Sequence, residues 1–280
     1  MKPAEPFQER GDVAAGTYPV RRVEGNREHA LTDSVAEEIP VALEFNGISY
    51  AVMLATPTDL DDFALGFALS EGVIDRSGEL YDVEIRESSE GITLQARIPN
   101  ECFVRLKERR RALAGRTGCG LCGVESLTEV VKPTRRVSAN AHFEAASLLA
   151  GFDSLRERQP LMSSTGAVHA AAWLPENGTL LHVREDVGRH NALDKMLGAL
   201  AREEVPACGA ALVTSRASFE MVQKAGALGV PILAAISAPT GLAIRMADSI
   251  GMTLVGFARG QSLVCYTHPE RIQLTESART

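Results

Sequence analysis

No apolar run in these 280 residues approaches the roughly 20 needed for a membrane-spanning helix. The opening stretch, Met1–Glu28, is polar and lacks the hydrophobic core of a secretory signal. The chain is therefore expected to work in the cytoplasm, without a membrane partner. An excess of positive charge is missing too. The net charge is −7, which argues against nucleic acid as a partner and leaves any anionic ligand to a local cluster of cations. Cysteine is scarce and odd in number, with Cys102, Cys119, Cys122, Cys208 and Cys265 making five. A chain of this size does not need disulfide staples, and a reducing compartment would not keep them. Internal repeats and low-complexity tracts are absent as well. What remains, 45% hydrophobic and 23% charged residues, is the composition of a globular protein with one large or two modest cores.

Against that background one stretch stands out, Gly118-Cys119-Gly120-Leu121-Cys122-Gly123. Two cysteines at this spacing bring both sulfurs to one side of a turn, and the glycines leave it mobile and nearly free of side-chain bulk. Arg109, Arg110, Arg111 and Arg116 lie just upstream, and nearby cations favour the reactive thiolate. Cys102, Cys208 and Cys265 sit in or beside apolar stretches and read as core residues. A structural zinc site would need four ligands, and no second Cys or His pair stands at suitable spacing. A zinc deaminase would need His-x-Glu followed by Pro-Cys-x-x-Cys. Here the cysteines precede His169, and Ala171 occupies the glutamate position. Two chemistries stay open on the residues alone. One is a thiol–disulfide oxidoreductase using the Cys119/Cys122 pair, and the other is a sulfur carrier that holds a persulfide on a mobile loop.

The remaining pattern divides the chain. Residues 1–30 are expected to be disordered. Val41–Phe45 and Ile48–Leu54 flank Asn46-Gly47, a strong hairpin signal. Thr58 reads as the cap of a helix carrying Leu60, Phe63, Ala64 and Phe67. Tyr81–Arg86 and Ile92–Ile98 predict a second hairpin, and residues 101–113 a helix. This gives a small α+β domain over 31–116, followed by a mobile linker over 117–135. A short helix over 126–131 is also expected. From 136 to 280, after a helix over 143–158 and a hairpin across Asn177-Gly178, apolar strands alternate with amphipathic helices. That pattern predicts α/β, with a largely parallel sheet covered on both faces.

In such a sheet, ligands gather beyond the carboxyl ends of the strands. Polar residues concentrate there: Glu185 to Asn191 with Arg189 and His190, Ser215 and Arg216 to Ser218, Ser237 to Thr240, and Arg259 to Ser262. Three helix N-termini should converge on the same rim. Their free N–H groups and partial positive charge suit an anion or a phosphate, although Ser218 and Thr240 also read as simple helix caps. His169 enters a strand after a run of hydroxyls; it reads as a ligand, an acid/base group or a core histidine, and with no partner visible in sequence the core reading comes first.

Several long motifs in order resemble the FdhD/NarQ family, the accessory sulfurtransferases of formate dehydrogenase. They are TGCGLCG over 117–123, VHAA over 168–171, EDVGRHNALDK over 185–195, SFEMVQKA over 218–225 and SAPT over 237–240. The resemblance runs from about Pro40 to the C-terminus. It implies a cytidine-deaminase-like core and a homodimer. It also implies a cysteine desulfurase as sulfur donor, with Cys119 as persulfide carrier and Cys122 as an assisting thiol. The acceptor it implies is the molybdenum bis-molybdopterin guanine dinucleotide cofactor of formate dehydrogenase. The segment Phe257-Ala258-Arg259-Gly260-Gln261-Ser262 would bind that cofactor, with His169, Arg189, Ser215 and Arg216 added from the strand-end reading, and GDP would serve as a surrogate ligand.

Overall fold

The computed structural model describes residues 14–113, 136–138, 141–203 and 208–274. Cys119, Cys122 and the helix expected over 126–131 lie outside them. The chain opens on a hairpin of β1 (Ala15–Glu24) and β2 (Arg27–Ala36), turned at Gly25 with φ 60°. Disorder was expected over 1–30, and for residues 15–30 the structure differs. The hairpin is long and none of its residues is buried, so it carries no buried-face alternation, the usual sequence signal of a strand.

A four-stranded sheet follows, with β3 (Ile39–Phe45), β4 (Ile48–Ala55), β5 (Asp82–Ser88) and β6 (Gly91–Arg97) in the order β4-β3-β6-β5. Asn46 and Gly47 both take positive φ, 47° and 78°, the conformation that a two-residue hairpin needs. Helix α1 (Leu60–Ser70) crosses between the two hairpins, so that β3 and β6 pair parallel. Val41, Leu43 and Phe45 of β3 meet Phe63, Ala64 and Phe67 of α1, with Cys102 and Leu106 of α2 (Asn100–Leu113) in the same core. The N-cap of α1 is Asp59, in the left-handed region and without a side-chain cap bond, rather than Thr58.

The second half is built on six strands in the order β13-β12-β11-β10-β8-β9: β8 (His169–Pro175), β9 (Leu181–Asp186), β10 (Gly209–Val213), β11 (Ile232–Ala235), β12 (Thr253–Arg259) and β13 (Ser262–Thr267). Only β10, β11 and β12 run parallel; β8, β9 and β13 pair antiparallel. The sheet is thus mixed rather than largely parallel. Strand β8 returns through a hairpin, which forces antiparallel pairing, whereas the helical crossovers later in the chain allow parallel pairing. Helices α5 (Arg189–Arg202), α6 (Phe219–Ala227) and α7 (Gly241–Ile250) cover one face. Helix α3 (Ala145–Glu157) covers the other through Leu148, Phe152 and Leu155. Both faces are therefore dry, and β10 reads as five buried residues in a row. A short helix α4 (Pro160–Thr165) precedes β8, and β7 (Phe143–Glu144) pairs with β14 (Ile272–Gln273). The α/β core and the smaller α+β unit are both as expected.

The two units are joined through their helices. At the α1–α5 crossing Gly66 and Gly198 face each other. A Cβ on Gly66 would lie 2.8 Å from the Gly198 nitrogen, and one on Gly198 would lie 2.9 Å from the Gly66 nitrogen. Only glycine lets the backbones approach this closely. Beside the crossing, Asp62 receives Arg184 at 2.7 Å and Arg202 at 3.0 Å. Lys224 reaches from α6 to Asp194 (2.8 Å) and Glu71 (2.9 Å), and Ser70 donates to Asp194 at 2.7 Å. Burial pulls the Lys224 ammonium down, but the two carboxylates outweigh it and hold it above the ordinary lysine value.

Candidate functional site

The carboxyl ends of β9, β10 and β11 lead into the N-termini of α5, α6 and α7. Beside them opens a cavity of about 280 Å³, lined by His169, Arg189, Thr214, Ser215, Arg216 and Ser237. Four of these were singled out from the sequence. Ser237 was placed at the strand-end rim but not named as a ligand, and Thr214 was read only as the end of its strand, because in one dimension a hydroxyl after a strand looks like any loop residue. The lining holds two guanidinium groups, three hydroxyls and an imidazole, and among the described residues no carboxylate.

Local folding explains how each side chain arrives. Thr214 closes β10 against β8, its Oγ1 accepting from the Ala170 N–H at 2.8 Å and its own N–H donating to the Ala170 carbonyl at 3.0 Å. That pairing sets the start of β8 and hence His169. Ser215 is buried and its hydroxyl donates to the Arg216 carbonyl at 3.0 Å, so the chain turns sharply and leaves Arg216 exposed. Arg189 is the first residue of α5, where the partial positive charge of the helix adds to its own. Its Nε is buried and makes no hydrogen bond among the described residues. A buried donor of this kind calls for an acceptor.

His169 is half-buried. Burial pushes its imidazole below the ordinary histidine value, Arg189 adds to the depression, and Asp186, its partner across β8–β9, opposes both. At neutral pH the ring is therefore uncharged, and it offers one donor and one acceptor to whatever fills the cavity.

The motif around Arg189 is mostly scaffold. Glu185 accepts from the N–H groups of Leu161 (2.9 Å) and Met162 (2.8 Å) at the start of α4. Asp186 pairs with Lys195 at 2.7 Å, both fully buried. His190 faces Glu220 at 2.7 Å, while burial, Arg189 and Lys224 still hold its ring below the usual value against that carboxylate. Of the charged residues over 185–195, Arg189 alone lines the cavity.

The segment expected to bind the cofactor, Phe257 to Ser262, lies outside the lining, and spans the end of β12, the Gly260-Gln261 turn and the first residue of β13. All of it but Ala258 is exposed. It is tied to the rim, since the Phe257 N–H donates to the Ser237 carbonyl at 3.2 Å. Phe257 sits at φ 53°, which costs a bulky residue strain and is held here by the bulged pairing of Gly256 and Arg259. Of the cysteines expected in the core, Cys102 is buried and Cys265 half-buried, but Cys208 is exposed. It stands immediately before β10. Among the described residues no His, Cys, Asp and Glu cluster is placed to hold a metal, and no helix is long and apolar enough to cross a membrane.

Comparison with known proteins bears on this arrangement. The profile of the FdhD/NarQ family matches residues 36–273. The sulfur carrier protein FdhD of Cupriavidus necator is 55% identical over 258 residues, covering 92% of this chain and 90% of its own. That of Bordetella bronchiseptica is 57% identical over 242 residues, 86% of this chain and 88% of its own. Among solved structures, a protein described as a formate dehydrogenase accessory protein from Desulfotalea psychrophila superposes with a TM-score of 0.73. It is 23% identical and covers 93% of this chain and all of that one, a likeness of fold.

Proposed function

The chain belongs to the FdhD/NarQ family, and on that premise we propose that it takes sulfur from a cysteine desulfurase and delivers it to the molybdenum bis-molybdopterin guanine dinucleotide cofactor destined for formate dehydrogenase. Sulfur transfer is the role it shares with its family. Donor, acceptor and residues are the inference. The Cys119 thiolate attacks the outer sulfur of the desulfurase persulfide, and the desulfurase cysteine leaves as a thiolate. Cys119 then holds the sulfur for delivery, with Cys122 assisting. The reaction runs in the cytoplasm, on a homodimer.

The observation that carries the acceptor half is the chemistry of the cavity. Two guanidinium groups, a buried Arg189 Nε with no hydrogen bond, three hydroxyls and an uncharged imidazole fit the diphosphate of a dinucleotide. The described lining residues, guanidinium, hydroxyl and imidazole groups, fit a polyanion better than the N–H-rich edge of a guanine base. The mostly exposed segment Phe257–Ser262, next to the rim, is left to meet the base. When bound, the cofactor supplies the metal that receives sulfur; the protein supplies the thiolate, the anion site and their mutual orientation.

The test has two arms. Incubation with a cysteine desulfurase and cysteine should add one sulfur atom to the intact mass, and Cys119→Ala should abolish the gain. Equal gain in that variant overturns the role of Cys119. Separately, GDP should bind the parent and bind Arg189→Gln more weakly; equal binding removes the cavity from the acceptor site.

A further inference from the structure

Thr56 lies between β4 and α1, 130 positions before Asp186, and is wholly buried. Its N–H and hydroxyl reach the turn that leads into Arg189, and its carbonyl reaches Lys195 of α5. Its N–H donates to Asp186 Oδ2 at 3.0 Å, and its hydroxyl oxygen accepts from the Val187 N–H at 3.2 Å. Its carbonyl accepts from Lys195 Nζ at 2.9 Å. Asp186 takes three further donors: Lys195 Nζ at 2.7 Å, the Gly188 N–H at 2.7 Å and Asn191 Nδ2 at 3.0 Å. Asn191 Nδ2 also reaches back to the Leu54 carbonyl at 2.8 Å. The turn from Asp186 to Gly188 cannot shift without breaking bonds to a buried charge, which are among the strongest a protein makes. The next residue is Arg189.

We propose that Thr56 is a positioning residue for the anion cavity, fixing the turn Asp186–Gly188 so that Arg189 meets the bound diphosphate. The proposal rests on the reading of the cavity given above. It makes the β4–α1 junction part of the acceptor site although no atom of Thr56 lines it. It also makes the coupling reciprocal: filling the cavity must stabilise the bonds that Thr56 makes. A residue that merely fastened the two units together would affect stability but not affinity.

Three proteins are compared, the parent, Thr56→Ser and Thr56→Val, with inorganic diphosphate and GDP as separate probes in titration calorimetry. Thr56→Ser, which keeps the acceptor hydroxyl, should bind both like the parent. Thr56→Val, which leaves the Val187 N–H without its acceptor, should bind both about tenfold more weakly. Equal affinity in a folded Thr56→Val protein overturns the proposal. Amide hydrogen exchange on the parent needs no variant and decides the matter if Thr56→Val does not fold. Diphosphate should slow exchange at Thr56, Val187 and Gly188; protection that stops short of Thr56 overturns the coupling. A parent that binds neither probe overturns the reading of the cavity instead. The positioning role is then judged by exchange at Val187 and Gly188 in Thr56→Val against Thr56→Ser, faster exchange upholding it and equal exchange refuting it.

Discussion

Replacing Gly66 by Ala sets two effects of opposite sign against each other. In an exposed helix the change would gain about 1 kcal/mol, because Ala is the better helix former. At the α1–α5 crossing the new methyl would stand 2.8 Å from the Gly198 nitrogen and closer still to the Asp194 carbonyl, inside the 3.0 Å that real Cβ atoms keep. Both neighbours are backbone, so no side chain can swing away, and the helices must part by about 1 Å. A gap of that size forfeits a quarter to a half of each dispersion contact across the interface. Overpacking of this kind costs about 1–3 kcal/mol before the loss of contacts is added, and the neighbouring Ser70–Asp194 bond of 2.7 Å is stretched as well. The clash should win, leaving a net destabilisation of about 2–4 kcal/mol. Equilibrium urea unfolding reads it directly. With a slope of about 3 kcal/mol per molar, the midpoint should fall by about 1 M at unchanged slope. Gly198→Ala meets the same crossing from the other side. The double variant should therefore lose less than the two single losses together, since the helices part only once. A midpoint for Gly66→Ala equal to or above that of the parent would refute the reasoning.

Three further outcomes are expected. Arg189→Gln should weaken diphosphate binding by about tenfold or more in calorimetry at fixed salt, because it removes a charge-assisted partner from a site of two cations; an unchanged constant would place the anion elsewhere. His169 and His190 have folded pKa values below their unfolded ones. The stability they contribute is therefore complete above the unfolded value of about 6.5 and declines as pH falls through and below it. The urea midpoint should drop between pH 7 and pH 5, and less steeply in His169→Gln; a parallel drop would deny the imidazole a part. Lys224→Met strands Asp194, whose burial already pushes its carboxyl upward against the Lys224 charge. It should cost about 3–5 kcal/mol, seen as a melting temperature lower by about 10 °C.

How far the sequence reaches depends on the range of the interaction that decides each feature. The hairpin at Asn46-Gly47 and the strand-end placement of Arg189, Ser215 and Arg216 were legible, because a turn chemistry or a strand boundary is local. The exposed β1–β2 hairpin was not, since without a buried face nothing alternates. The direction of β8 was missed because its neighbour in the sheet, β10, follows only after another strand and a helix. His169 by itself read first as a core histidine; its half-buried place on the cavity wall depends on Thr214, which is distant in sequence.

The sequence by itself determined the side chains available: a Cys-x-x-Cys pair, cations and hydroxyls at strand ends, and an α/β core, all written in spacing and periodicity. Tertiary structure alone decided which of those residues line the cavity. In the stretch from Glu185 to Lys195, seven charged or polar side chains look alike in sequence. Six are taken up by Leu161 and Met162, Thr56, Leu54, Glu220, Ser70, Lys224 and one another. Only Arg189 is left facing the cavity. The reason is physical: a buried charge must find its partner wherever the fold brings one, and those partners come from elements far away in the chain.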